Sequence, residues 1–404
     1  MSDKKQFTSY QKMMIAFIAI LQFTVILDFM VLSPLGPFLM KDLQLEPNRF
    51  SLVVSAYAFS AFASAILTAG FADKFDRKKI LLVFYTGFIV GTFFCALSVT
   101  YNQLLLARIV TGLFGGVIGS IGFAIITDLF APEQRGRVMG FVQMAFAASQ
   151  ILGIPIGLVL ANWYNWHFPF YAIVCFSIVV GFIIGFKMKP ITAHIASNVG
   201  KNAFVHLIKT VSNRRYIRGF LATTLLATGG FMLMPFGSEF ATKNLEISTD
   251  SLPLLYAITG LFTIVSSPFI GKFSDQFGKF RMFVVGTILT ITFVAIYTEL
   301  GPTPLWLAIV LNVILFMGIS ARMIPASALM TSVPSAEDRG AFMSINSAVQ
   351  QLSGGIASAV AGMIVYKNAA GKMMNYPTLG FVVIASMIVA VFLIRQLDVM
   401  LKKD

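Results

Sequence analysis

The sequence predicts an all-α membrane protein of twelve transmembrane helices, arranged as two pseudo-symmetric six-helix bundles, and three observations carry that expectation. The 404-residue chain is 57% hydrophobic and only 12% charged, about half of the roughly 25% charge that a water-facing surface uses. Its apolar residues gather into twelve long runs. Two short, densely charged loops recur about two hundred residues apart, one in each half of the chain.

A helix needs about 20 apolar residues to cross a hydrocarbon core of ~30 Å, and irregular backbone cannot face lipid. Runs of that length fall at 13–39, 50–71, 80–99, 103–127, 138–161 and 168–187, then at 219–239, 251–271, 281–299, 304–330, 340–365 and 377–395. The chain therefore reads as an N-terminal bundle over 1–187, a basic cytoplasmic linker over 188–217 and a C-terminal bundle over 218–404. The opening MSDKKQFTSYQKMM leads into a run far longer than the ~7 to 15 residues of a signal-peptide core, so it is expected to remain as the first span.

Orientation follows from Lys and Arg, which concentrate in cytoplasmic loops. Sorted onto alternate sides of the twelve spans, 23 of the 30 fall on the side of both termini and five on the other, with Arg108 and Arg322 left inside the membrane. Both termini are expected in the cytoplasm, and the net charge of +13 needs no nucleic acid to explain it. Trp163, Trp166 and Trp306 fall at helix ends on the expected outer face, where an aromatic belt would sit.

The charged loops reveal a repeat. Asp73 in AGFADKFDRKK and Asp275 in GKFSDQFGKFR each follow a helix end and precede basic residues. APEQRGRVMG and VPSAEDRGAFMS align Arg135 with Arg339 at nearly the same offset. Two parallel six-helix units are the internal symmetry of one large class of secondary transporter. Asp73, Arg77, Arg135, Asp275, Arg281 and Arg339 are candidates for a cytoplasmic gate closed by charge-assisted bonds; the plainer reading leaves the basic ones as topology signals.

These loops resemble the signature G-x-x-x-D-x-x-G-[RK]-x-[RK] of the major facilitator superfamily. LLLARIVTGLFGG (104–116) is similar to that family's fourth-helix motif, and GIPIG (153–157) resembles its fifth-helix antiporter motif, with Ile154 inserted before Pro155. The resemblance implies the major facilitator fold and, through Asp28 on the first helix and Arg108 on the fourth, the proton-coupling positions of drug and metabolite exporters. Where the signature has its second Gly, the first loop carries Asp76, which reads as a φ > 0 site that Asp tolerates.

Intramembrane charge is expensive, which makes each such residue a functional candidate. Asp28 lies 15 residues into the first run, about 22 Å from the cytoplasmic side, and Arg108 about 7 Å from the outer side, so the two reach nearly one depth. They can pair, either as a proton-responsive switch or as a static ion pair that sets helix register. The repeat offset carries Arg108 to Asn312, so the second half lacks an equivalent Arg. Arg322 stands alone, awaiting either an anionic substrate group or a backbone carbonyl. Gln22, Gln143, Gln150, Asn346 and Gln350 join it as substrate-binding candidates, with helix–helix hydrogen bonds as their alternative. The Gly run from Gly112 to Gly122 suits close helix contact.

No chemistry beyond transport is visible. Cys95 and Cys175 lie in apolar runs and read as packing residues; His167, His194 and His206 fall outside the spans, and HExxH, GxSxG and a phosphate-binding loop are all missing. The expectation is a secondary active transporter with no enzymatic activity, cofactor or metal. It would act as a monomer in the bacterial inner membrane and export small amphipathic compounds or metabolites against protons. A lipid carrier or a sugar or metabolite uptake carrier of the same fold is the alternative.

Overall fold

The computed structural model describes residues 7–69, 74–192, 195, 209–335 and 338–402, leaving aside some side chains within helices, among them those of Gln143 and Arg339. Its first half contains α1 (Ser9–Val31), α2 (Gly36–Asp42), α3 (Pro47–Ala69), α4 (Arg77–Leu97), α5 (Tyr101–Leu129), α6 (Pro132–Ala148), α7 (Ile154–Trp163) and α8 (Phe168–Lys187). The second contains α9 (Arg214–Leu233), α10 (Gly237–Lys243), α11 (Leu252–Phe277), α12 (Lys279–Thr298), α13 (Leu305–Met330), α14 (Arg339–Ile364), the hairpin strands β1 (Tyr366–Lys367) and β2 (Met373–Met374), and α15 (Tyr376–Leu401). Among the described residues ten helical segments are long and apolar enough to cross a membrane. α14 and the interrupted α6–α7 segment occupy the two remaining runs, so the all-α architecture expected from the sequence is the one observed.

Proline explains where the long runs break. Pro34 and Pro37 divide the first run into α1 and α2, because proline lacks the N–H that would continue the ladder. Pro155 would clash with the Ile151 carbonyl in a regular helix; a π turn over Ser149–Gly153 widens the ladder just before it. Pro235 likewise separates α9 from α10.

Helix starts are fixed by side-chain caps. Thr8 and Gln11 form a reciprocal capping box on α1, and Thr100 and Asn213 cap α5 and α9. Asp76 departs from its expected backbone: its φ is −56°, and its carboxylate accepts the Lys78 N–H as N-cap of α4 and the Ile191 N–H at 2.8 Å. An acid at an N-cap satisfies helix N–H groups in the extended region, so no left-handed turn is needed. Gly278, the corresponding residue of the second loop, does adopt φ +97°.

The apolar interior has three parts. One core gathers the ends of the helices remote from the chain termini, mixing Leu35, Phe50 and Trp166 of the first half with Phe236, Leu255 and Tyr376 of the second. The other two lie toward the termini, one within each half: Ile18, Tyr85 and Ile125 in the first, Phe220, Phe283 and Ile394 in the second. The halves are thus sealed together at the far face and separate toward the face that bears the termini.

That far seal is close-packed. Ser33 donates to the Met234 carbonyl, Ser358 to Ser51 at 3.4 Å and Asn162 to Thr249 at 3.1 Å. On α14, Gly355 lies against Phe59 and Gly362 against Ser51 with no room for a Cβ. Trp163 and Trp306 are exposed as expected of a belt, whereas Trp166 is buried and donates its indole N–H to Asp42 at 3.0 Å. A buried indole must satisfy its polar edge, and the carboxylate at the end of α2 does so.

Candidate functional site

Four helices of the first half converge on one buried ion pair. Asp28, near the far end of α1, accepts from Arg108 Nη1 of α5 at 2.7 Å, and both side chains are fully buried. Its second oxygen accepts from Thr92 Oγ1 of α4 at 3.1 Å. The Arg108 guanidinium stacks over the Tyr57 ring of α3 at 4.6 Å. Gly112 and Gly116 permit this convergence: each lies flush against α3, at Tyr57 and Ala61, with no space for a side chain.

The pair is not fully compensated. Among the described residues the buried Arg108 Nε and Nη2 have no hydrogen-bond partner, so its charge is held by the Asp28 carboxylate, the Asp28 carbonyl at 3.4 Å and one aromatic face. Two charges taken out of water recover their desolvation cost only when geometry and hydrogen bonding are nearly complete. A site in this condition responds strongly to the loss of either charge.

An aromatic chain joins the pair to the far seal. Tyr57 packs on Phe29 at 5.1 Å, and Phe29 packs on Phe231 of α9 at 5.6 Å across the two halves. Phe29 follows Asp28 directly in sequence, so a shift of the Asp28 backbone also moves a ring of the inter-half contact.

The other sequence candidates are dispersed. Asn346 of α14 accepts from Thr223 Oγ1 of α9 at 2.5 Å. Half-buried Gln22 faces the Gly119 backbone on α5, and Gln150 falls in the π turn. Gln350 is half-buried on α14, and for Gln143 only the helical backbone is described. Arg322 on α13 is 3% exposed, stacks over Phe283 of α12 at 5.7 Å, and among the described residues has no partner for Nε and Nη2. Asn312, where the repeat places the counterpart of Arg108, donates to the Tyr297 hydroxyl at 3.3 Å; the second half has a neutral pair at the place of the ionic one.

Of the gate candidates, Arg77 pairs with Asp128 at the end of α5 at 3.0 Å, inside one half. Arg135 donates to the carbonyls of Thr127 and Phe130 at 2.7 and 3.0 Å, capping α5. Asp275 and Arg281 are exposed. Asp73 lies outside the described residues, as does the side chain of Arg339.

Thr92, Tyr57 and Asp128 escaped the sequence reading. Asp128 carried a signal, an acid at the end of an apolar run beside a basic loop. Thr92 and Tyr57 carried none, since a lone Thr or Tyr in a span is ordinary. Glu239 is buried and paired with Lys367 of the hairpin at 2.7 Å.

A family model described as Major Facilitator Superfamily matches residues 18–236 and again 219–401. An uncharacterized MFS-type transporter, YceJ of Bacillus subtilis (strain 168), is 26% identical over 65% of this chain and 67% of its own length. Multidrug resistance protein 3 of the same organism is 32% identical, over 31% of this chain and 24% of its own length. Among solved structures, a bacterial homologue of the human lysosomal transporter Spinster, inward-facing and unoccupied, superposes with a TM-score of 0.72 at 17% identity, covering 98% of this chain and 97% of its own. A mutant of the nucleoside transporter NupG reaches 0.74 at 15% identity, covering 96% and 99%.

Proposed function

The chain belongs to the Major Facilitator Superfamily, a family of membrane transporters and not of enzymes, and on that premise we propose that it exports small amphipathic compounds in exchange for protons by alternating access. The observation that carries the reading is the fully buried Asp28–Arg108 pair, incompletely compensated and linked through Tyr57 and Phe29 to Phe231 of the other half. Relatives that bear the name multidrug resistance protein support efflux.

The proton acts on the balance between two states. With Asp28 ionised, Arg108 is held and the far seal is closed, an inward-open arrangement if the termini are cytoplasmic. Protonation removes the charge that holds Arg108, whose guanidinium then seeks other acceptors. Tyr57 and Phe29 repack, and the contact to Phe231 weakens. A proton shifts the equilibrium only through its different affinity for the two states, and a site that changes its neighbours between states supplies that difference.

The test uses proteoliposomes with an internal pH dye, an imposed proton gradient and a panel of lipophilic cations, anions and neutral compounds. Wild type is expected to collapse the gradient with one substrate class, and Asp28→Asn with none. Equal proton movement by Asp28→Asn would remove Asp28 from the coupling.

A further inference from the structure

We propose that the transported compound is an amphipathic organic anion whose oxyanion head group is received by Arg322. This rests on the transport reading above but not on its proton coupling. Charge distinguishes the two buried arginines. Arg108 is neutralised by Asp28, whereas among the described residues no acidic side chain pairs with Arg322. The buried acids of the second half are engaged elsewhere: Glu239 with Lys367 at the far face and Asp398 with Lys402 at the terminal end of α15. The described interior therefore carries one uncompensated positive charge, and a buried cation without a partner attracts a ligand of opposite sign.

The position suits a ligand. Arg322 is eight residues from the terminal-side end of α13, about 12 Å along the helix. The Thr223–Asn346 hydrogen bond between α9 and α14 lies at a similar depth. Contacts between the halves run from the helix middles to the far face, while at the depth of Arg322 each half keeps its own core. A molecule entering from the terminal side arrives between those cores, and Arg322, 3% exposed and stacked on Phe283 within the second half, meets it by swinging its side chain outward.

The chemistry selects the head group. A guanidinium presents a planar fork that matches a carboxylate or phosphate bidentately, and its long stem lets the head move from the Phe283 ring toward an incoming anion. Pro325, within α13, deprives the Ala321 carbonyl of its helical N–H donor, which loosens the helix beside Arg322. Partly buried Met323, Met343 and Phe280 around the adjoining core offer an adaptable apolar surface for the rest of the ligand. A lipophilic cation would meet like charge here.

The experiment compares three dansyl probes of one size: dansyl-aminohexanoate, its neutral amide and the cationic dansylcadaverine. Binding is measured by fluorescence on purified full-length protein in nanodiscs of zwitterionic lipid. Wild type is expected to bind the carboxylate roughly 10- to 100-fold more tightly than the amide, the worth of a hydrogen-bonded charge pair, and the amine most weakly. Arg322→Gln should reduce carboxylate binding to the level of the amide, and Arg322→Lys should retain part of the preference. Thermal unfolding identifies variants that fail to fold, and wild type with Arg322→Lys then decide. Displacement of the probe by phosphatidate in the disc would keep the site and name a lipid phosphate as its source of anion. Tighter binding of the amine by wild type, no carboxylate binding at all, or an unchanged preference in folded Arg322→Gln would overturn the assignment. The binding assay is run on wild type and the Arg322 variants with no proton gradient, whereas coupling is read from dye-linked flux, so failed coupling and a failed anion site give different results.

Discussion

Asp28 and Arg108 are sealed from water, so each is costly without the other. Removing one partner of a buried pair costs about 3–5 kcal/mol, whereas replacing both with neutral groups is often harmless. Asp28→Ala and Arg108→Leu are therefore each expected to lower the unfolding temperature in detergent, and the double variant to recover much of the loss. A double variant no more stable than the worse single would mean that the charges do not depend on each other. This pair was legible from sequence because depth in a span is simple arithmetic and an intramembrane charge must be explained. Asp76 was misread because a loop signature records residue type, while the φ of −56° follows from the two N–H groups its carboxylate accepts. Trp166 was misplaced because burial at a helix end depends on an acid, Asp42, 124 residues away in sequence.

At the scale of elements, the contact between α3 and α14 forms much of the far seal, and small residues hold it together. Gly362 touches Ser51, and Ser358 bonds to the Ser51 carbonyl. Alternating access requires these helices to part in every cycle. Ser51→Cys with Ser358→Cys, which adds no side chain where there is no room, in a background with exposed Cys175 replaced by Ser, is expected to form a disulfide under mild oxidation and to stop transport until reductant is added. Full transport by the cross-linked protein would show that α3 and α14 stay together throughout. Gly362→Leu works in the opposite sense. The added side chain has no room, so the seal should loosen and Ser55→Cys, on the same helix as Ser51, should react with a maleimide several times faster than in the parent. A rate equal to the parent's would mean that the seal yields without opening. The π turn before Pro155 was not readable from composition, since a proline in a span can be met by a kink, a break or a widened turn.

The whole molecule repeats its architecture but not its chemistry. Periodicity and charge bias revealed the twelve runs, because lipid imposes one length and one sidedness on every span. Which side is sealed was not legible, since both closures use the same residues and differ only in which ends touch. Nor do the two halves carry the same charge: the first holds the proton candidate beside Arg108, the second Arg322 over Phe283, with no acidic partner among the described residues. If a proton enters through the first half while an anion leaves by way of the second, both movements carry positive charge inward and their electrical work adds. Two charges are worth about 4.6 kcal/mol per 100 mV, twice the value for one. Vesicles loaded with dansyl-aminohexanoate and potassium, with valinomycin added and no pH difference, should therefore export the probe faster as the interior becomes more negative. Asp28→Asn, limited to the anion's own charge, should show a weaker dependence on potential. A wild-type rate indifferent to potential would mean that the cycle moves no net charge, and proton exchange against a monoanion would then be untenable.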